Sequence, residues 1–350
     1  MRRFVVNIKP LTPIWTGDAE RKNNTLRETG IIGSLRWWYE ALIRGLGGTT
    51  CDPTQTDCKD DYHCDACELF GCTGWARKFR LEMNFSTTIP ELSIGTREKR
   101  RVRNNWIYLK RNVAGFMSNG SIALTFIPLR EISKNEWSLL NATLKIIGDY
   151  GAIGAHTSQG NGIIKIVENN LPEQMHKINF SELKKSDKHV NNSPNLKNYF
   201  FYKFHLKFKE DISGIIKKKT FWTHNSDHRD FNDNWNYWET LWKNYHFLPI
   251  AFHIRDAARH FEVNRNNRHE IFGVLGNGSK VFVSHGYKID EKTIEFRVWG
   301  YDVDKSLKNN IKNKLNSGLK QKLFSDGNDA LEICELKEEK SGEDLLKGIK

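Results

Sequence analysis

Apolar and polar positions alternate with period two over residues 4–8, 78–85, 121–128 and 161–167, so four strands are predicted in the first half of the chain. Between the first two, Leu35, Trp38, Leu42 and Leu46 fall at helical spacing behind Ser34, a residue type that caps helix N-termini. That reading puts Arg36 close to a helix start. Before the last strand, Ser133-Lys134-Asn135-Glu136 spells a capping box, and Trp137, Leu140, Leu144 and Ile147 continue it as an amphipathic helix.

The predicted order β-α-β-β-α-β implies an α+β fold of the ferredoxin-like kind, with two helices on one face of a four-stranded antiparallel sheet. RNA-recognition modules share that architecture. Residues 168–198 are rich in Asn and Lys, contain Pro172 and Pro194 and lack an apolar period, so they read as a linker. The second half repeats the first: strands over 200–208, 280–285, 293–298 and 330–336, helices over 250–260 and 304–323. The predicted organisation is two tandem ferredoxin-like domains, 1–167 and 199–337, with a charged tail, 338–350, expected to fray.

The repeat aligns residue against residue. Ile254-Arg255 answers Leu35-Arg36, and Glu270-Ile271-Phe272-Gly273 answers Glu68-Leu69-Phe70-Gly71, which reads as a turn. Gly276 answers Gly74 and Lys280 answers Lys78 without a gap. Arg36 and Phe70 are 34 positions apart, Arg255 and Phe272 only 17, and the excess matches the span from Cys51 to Cys67. The cysteine loop, 47–68, is therefore read as an insertion in the first half.

Five of the six cysteines lie between Cys51 and Cys72. Cys51, Cys58, Cys64 and Cys67 have the spacing C-x6-C-x5-C-x2-C, which suits a structural Zn²⁺ closing a loop too polar to hold its own shape. His63 and Cys72 are alternates for one ligand, although Cys72 lies in the repeated turn opposite Val274. His224, Asp227, His228 and Asp230 precede the stripe Trp235, Trp238, Trp242 and are read as surface residues, not a metal site.

A formal charge of +12 on 350 residues with 41 aromatic residues favours a polyanionic partner over a disordered basic tail. No apolar stretch approaches about 18 residues, and residues 1–10 lack a signal-peptide apolar region, so a cytoplasmic protein without membrane contact is expected. Arg36 and Arg255 are candidates for bidentate phosphate contacts. Lys78 and Lys280, leading matched strands, join them, with Arg77 and Arg80 beside the first. The stretch 97–111 interleaves Arg97, Lys99, Arg100, Arg101, Arg103, Lys110 and Arg111 with Trp106 and Tyr108, as single-stranded RNA binding requires. Finally, the Gly-rich segment 151–162, with Gly154, His156, Gln159 and Gly160, allows backbone N–H groups to approach phosphates.

In order, Leu11-Thr12-Pro13-Ile14-Trp15-Thr16-Gly17, Gly33-Ser34-Leu35-Arg36-Trp37-Trp38, Glu68-Leu69-Phe70-Gly71 and the Gly-rich loop resemble the RAMP superfamily of CRISPR proteins. Within it they look most like the first-subunit family of the type III-B, or Cmr, effector complex. The resemblance implies two fused ferredoxin-like domains in a non-catalytic subunit, contacting the crRNA 3′ region and target RNA beside other Cmr subunits. It also adds Trp37 to the candidate RNA contacts. The competing enzyme reading is a metal-independent crRNA-processing endoribonuclease with His156 as general acid or base.

Overall fold

The computed structural model describes residues 2–18, 20, 25–52, 58, 63–84, 89–102, 105–173, 177–185, 193–218, 221, 235–259, 264–274, 278–324 and 329–349. The first half contains β1 (Phe4–Pro10), α1 (Glu28–Gly45), α2 (Asp65–Phe70), β2 (Phe79–Asn84), β3 (Ile89–Val102), β4 (Asn105–Gly115), β5 (Ile122–Pro128), α3 (Lys134–Tyr150) and β6 (Ile164–Asn169). The second contains β7 (Tyr199–Phe208), α4 (Ile212–Lys217), α5 (Trp235–Tyr245), β8 (Phe247–Leu248), α6 (Ala251–Arg259), α7 (Arg265–Phe272), β9 (Val281–Val283), β10 (Gly286–Lys288), β11 (Thr293–Tyr301), α8 (Lys305–Leu323), β12 (Leu331–Ser341) and α9 (Gly342–Lys347).

The protein is thus mixed α+β with antiparallel sheets. The first sheet runs β2-β5-β1-β6; in the second, β12-β7-β11 is continued by β9 and, alongside it, by β10 and β8. Taking β1, β2, β5, β6 and β7, β9, β11, β12 as the four strands of each half, both sheets follow the spatial order fourth, first, third, second. β1 alternates buried and half-buried positions, as a strand with one covered face does. β7 does not: Tyr199, Phe200, Phe201 and Tyr202 are all buried, which requires cover on both faces. Helices of the first half supply part of it, since Tyr199 lies edge-on to Trp38 and Phe201 edge-on to Tyr150, at ring separations of 5.6 and 5.1 Å. One apolar core therefore runs through both halves.

Most expected elements form, and the Ser133 capping box does so with both reciprocal bonds. Trp238 and Trp242 of α5 face the core as their spacing predicts. Several expectations need correction. α1 begins six residues before Ser34, with Arg27 at its N-cap, so Arg36 lies mid-helix, away from the unsatisfied N–H groups. Ser34 instead accepts from the Gly154 N–H at 2.8 Å. The Glu-x-Phe-Gly segments are not isolated turns but the last three residues of α2 and α7 with the glycine that caps each. Residues 338–347 do not fray: β12 pairs with β7 through Ser341, a second capping box at Ser341 and Asp344 starts α9, and Leu345 and Leu346 are buried. Within 168–198, the described residues Leu171, Ile178, Leu183 and Leu196 bury themselves in the core. Gly276 and the group His224, Asp227, His228 and Asp230 lie outside the described residues.

Candidate nucleic-acid groove and cysteine cluster

The duplicated motif is a duplicated piece of folding machinery. Arg36 Nη1 donates to the Gly71 carbonyl at 2.6 Å, and Arg255 makes a similar bond one position earlier in the repeat, to the carbonyl of Phe272. Each guanidinium thus closes the C-terminal end of a short helix, where carbonyls lack intrahelical partners. Gly71 and Gly273 share φ values of +83° and +71°, and a Cβ on Gly71 would stand 2.8 Å from the Arg77 nitrogen, so only glycine fits. The Lys78 N–H then bonds to Leu69 O and the Lys280 N–H to Ile271 O, at 3.0 and 2.8 Å.

This machinery occupies several candidate RNA contacts. Arg36 also donates to Glu40 at 2.8 Å and to Cys67 Sγ at 3.2 Å. Burial pushes the Glu40 carboxyl above its ordinary range against the pull of Arg36 and Arg44. Arg255 bonds to Ser158 O and Val281 O, tying the Gly-rich loop to β9. Lys78 pairs with Glu68 and Glu136, Lys280 with Glu270, and Arg80 with Glu82. Arg77 is half-buried beside them. Arg100 and Arg101 fall on β3, while Arg103 lies outside the described residues.

The cysteine spacing does converge. The sulfurs of Cys51, Cys58, Cys64 and Cys67 all lie within 4.8 Å of one another. Cys51 and Cys67 are 3.2 Å apart and Cys51 and Cys64 3.7 Å, close to the edge of about 3.8 Å that Zn–S bonds of about 2.3 Å give a tetrahedron. Hydrogen bonding with Cys51 and Cys67 holds the Cys64 thiol well below its ordinary value. The alternates fall outside this group: His63 stacks on Trp75 at 4.5 Å, and Cys72 turns towards Cys58 O. The four thiols therefore suit a metal ion bound by cysteine alone.

The Gly-rich loop folds against its own chain. Gly154, Gly160 and Gly162 have φ of +85°, +115° and +90°. A Cβ on Gly162 would sit 2.1 Å from Ile153 O, and one on Gly160 2.4 Å from the Cβ of Ala251. The N–H groups of Ala155, Gln159 and Gly162 bond to Trp15 O, His156 O and Pro13 O, so they point inward rather than at a phosphate. Exposed Gln159 and His156 lie on the outer turn, with the His156 ring stacked on Trp15 at 4.1 Å.

Between this loop, α1 and the second sheet opens a groove of about 450 Å³, lined among others by Ser34, Trp37, Thr157, Ser279, Phe282 and Tyr301. None of its lining side chains among the described residues is charged. Phe282 stacks on Trp299 at 5.7 Å, and Trp37 approaches Tyr301 at 5.9 Å. Flat aromatic walls with scattered hydroxyls suit a planar uncharged ring, such as a nucleobase, better than a phosphate. Sequence reasoning found Trp37 here but missed Ser279, Phe282, Trp299 and Tyr301. Buried strands rich in aromatics carry no signal that one end opens onto a groove.

No curated protein matches the chain. Among solved structures, Cmr1 from Pyrococcus furiosus in its apo form is similar with a TM-score of 0.41 and 12% identity, over 90% of this chain and 97% of that one. A chain of the type III-B Cmr-beta complex bound to cognate target RNA gives 0.40 and 11%, over 89% and 98%. Residues 7–165 match the family model of the RAMP superfamily. That span runs from within β1 to the start of β6, and it takes in the Gly-rich loop and both Trp15 and Trp37, so it is this part of the chain that is similar to the RAMP superfamily.

Proposed function

We propose that this protein is a non-catalytic RNA-binding subunit of a type III-B CRISPR ribonucleoprotein effector complex. It would contact the crRNA 3′ region, target RNA or both, beside other Cmr subunits in the cytoplasm, in antiviral defence. The observation that carries the reading is the aromatic groove between the two halves, walled by the Gly-rich loop and without a charged side chain among its described lining residues, in a chain of net charge +12 whose residues 7–165 match the RAMP family model. The shared strand order of both sheets supports tandem ferredoxin-like domains. Four converging thiols support a structural Zn²⁺. No helix among the described residues is long and apolar enough to cross a membrane.

On this reading the groove holds bases while cations elsewhere on the surface supply phosphate contacts, so Arg36 and Arg255 act by building the groove's walls. Incubation of the purified protein with repeat RNA, single-stranded guide RNA and a guide–target duplex tests it. Binding without cleavage is expected, weakened by Trp37→Ala and falling with log salt as phosphate contacts demand. Specific cleavage abolished by His156→Ala would establish the endoribonuclease instead.

A further inference from the structure

β3 and β4 form a two-stranded ribbon separate from both main sheets. Its root is stitched to the groove: Phe116, just past β4, exchanges backbone hydrogen bonds with Ile14 at 2.8 and 3.0 Å, and Asn161 of the Gly-rich loop donates to Ala114 O at 2.7 Å. A Cβ on Gly115 would stand 2.7 Å from the Cβ of Pro13, which fixes this close approach. The ribbon therefore leaves the molecule beside the candidate base-binding groove.

The pairing sorts the basic run of 97–111. Arg101 is opposite Trp106, Lys99 opposite Tyr108, and Gly95 opposite Lys110, while Arg100 is opposite Ile107 and Ile94 opposite Arg111. Directly opposed residues of an antiparallel pair share a face, and neighbours along a strand alternate. One face thus carries the positions Lys99, Arg101, Trp106, Tyr108 and Lys110, with no acidic residue among them. The other carries Arg100 and Arg111 among Ile94, Ile107, Leu109 and Val113, and Val113 at its foot is buried in the core. The one acidic residue of the run, Glu98, falls in the irregular stretch between Gly95 and Lys99.

We infer that the Lys99–Arg101–Trp106–Tyr108–Lys110 face of this ribbon is a second RNA site, which takes the single strand leaving the groove by stacking its bases and neutralising its phosphates. Cationic positions on one strand beside aromatic positions on its partner combine the charge and the stacking platforms that sequence-tolerant single-strand binding uses. The inference rests on the RNA-binding reading above and extends it to a strand longer than the groove holds.

The test compares the full chain with two double variants that remove equal charge from opposite faces, Lys99→Gln with Arg101→Gln and Arg100→Gln with Arg111→Gln. Affinity for a 20-nucleotide single-stranded RNA is measured against salt, with circular dichroism confirming that each variant is folded. The first pair should lose at least tenfold in affinity and about 1.4 from the log–log salt slope, as two lost single-strand phosphate contacts predict; the second should lose less than threefold. Trp106→Ala with Tyr108→Ala should weaken binding at least tenfold while leaving the salt slope unchanged. Equal losses for the two charge pairs, or no loss from the aromatic pair, would overturn the site. Wild-type protein that fails to bind the RNA at all would instead overturn the RNA-binding reading.

Discussion

The ammonium of Lys78 stands 3.0 Å from the carboxylate of Glu68 and the matching Lys280 3.1 Å from Glu270, so the internal repeat preserves an ion pair as well as a backbone turn. The two copies differ in setting. Lys78 is 14% exposed and has a second partner in Glu136, whereas Glu270 is 71% exposed. Lys78→Gln, which strands two partly buried carboxylates, should cost on the order of 2 kcal/mol, and Lys280→Gln less than about 1 kcal/mol. Urea unfolding of the two variants checks this, and equal costs would show that burial does not separate the copies.

Arg36 holds Glu40, the end of α2 and the Cys67 sulfur with one guanidinium. Arg36→Ala should destabilise the fold by about 3 kcal/mol because Glu40 is left buried with one cation fewer. It should also weaken metal affinity by roughly tenfold or more, as loss of a hydrogen bond to a metal ligand does. A competition titration with a chromophoric chelator separates that effect from stability. Arg36→Lys, which lacks the planar fork, should rescue neither fully.

Metal analysis of unchelated protein should find about one zinc per chain. Cys64→Ser should lower both the zinc content and the melting temperature. Chelation of wild type should do the same, since binding and ordering of the loop are one free energy. Zinc well below one equivalent in folded protein would remove the metal from the cluster.

His285 is wholly buried beneath Gly160, where its Nδ1 accepts from the Ala251 N–H at 3.1 Å and Nε2 has no partner among the described residues. Burial pushes its pKa down from 6.5 to about 3. The unfolded chain therefore binds a proton that the folded chain refuses, so this contribution to stability is intact above about pH 6.5 and shrinks as pH falls towards 3. Between pH 6.5 and about 4.5 the loss should be roughly 2 to 3 kcal/mol. His285→Asn, which keeps an acceptor near Nδ1 and cannot titrate, should flatten that part of the stability profile. An unchanged slope would assign the acid sensitivity to other groups.

The pattern of the chain by itself determined the mixed α+β class, the capping box at Ser133, the core stripe of α5, the four converging cysteines and the register of the repeat from Arg36 to Lys78 against Arg255 to Lys280. These are legible because period, caps and spacing are local, and because a duplicated motif can be read without knowing what it touches. What the repeated residues do was decided by tertiary structure. Arg36 and Arg255 carry the charge of phosphate binders, but the partners that occupy them, the carbonyls of Gly71 and Phe272, lie 35 and 17 positions away. The same holds for the groove. Its walls come from α1, the Gly-rich loop and strands some 130 residues further along, and only the packing of the second sheet against the first half brings Trp37 to Tyr301. In the basic run, composition could not separate Arg100 from Arg101. Strand pairing did, because a side-chain period of two sends neighbours to opposite faces.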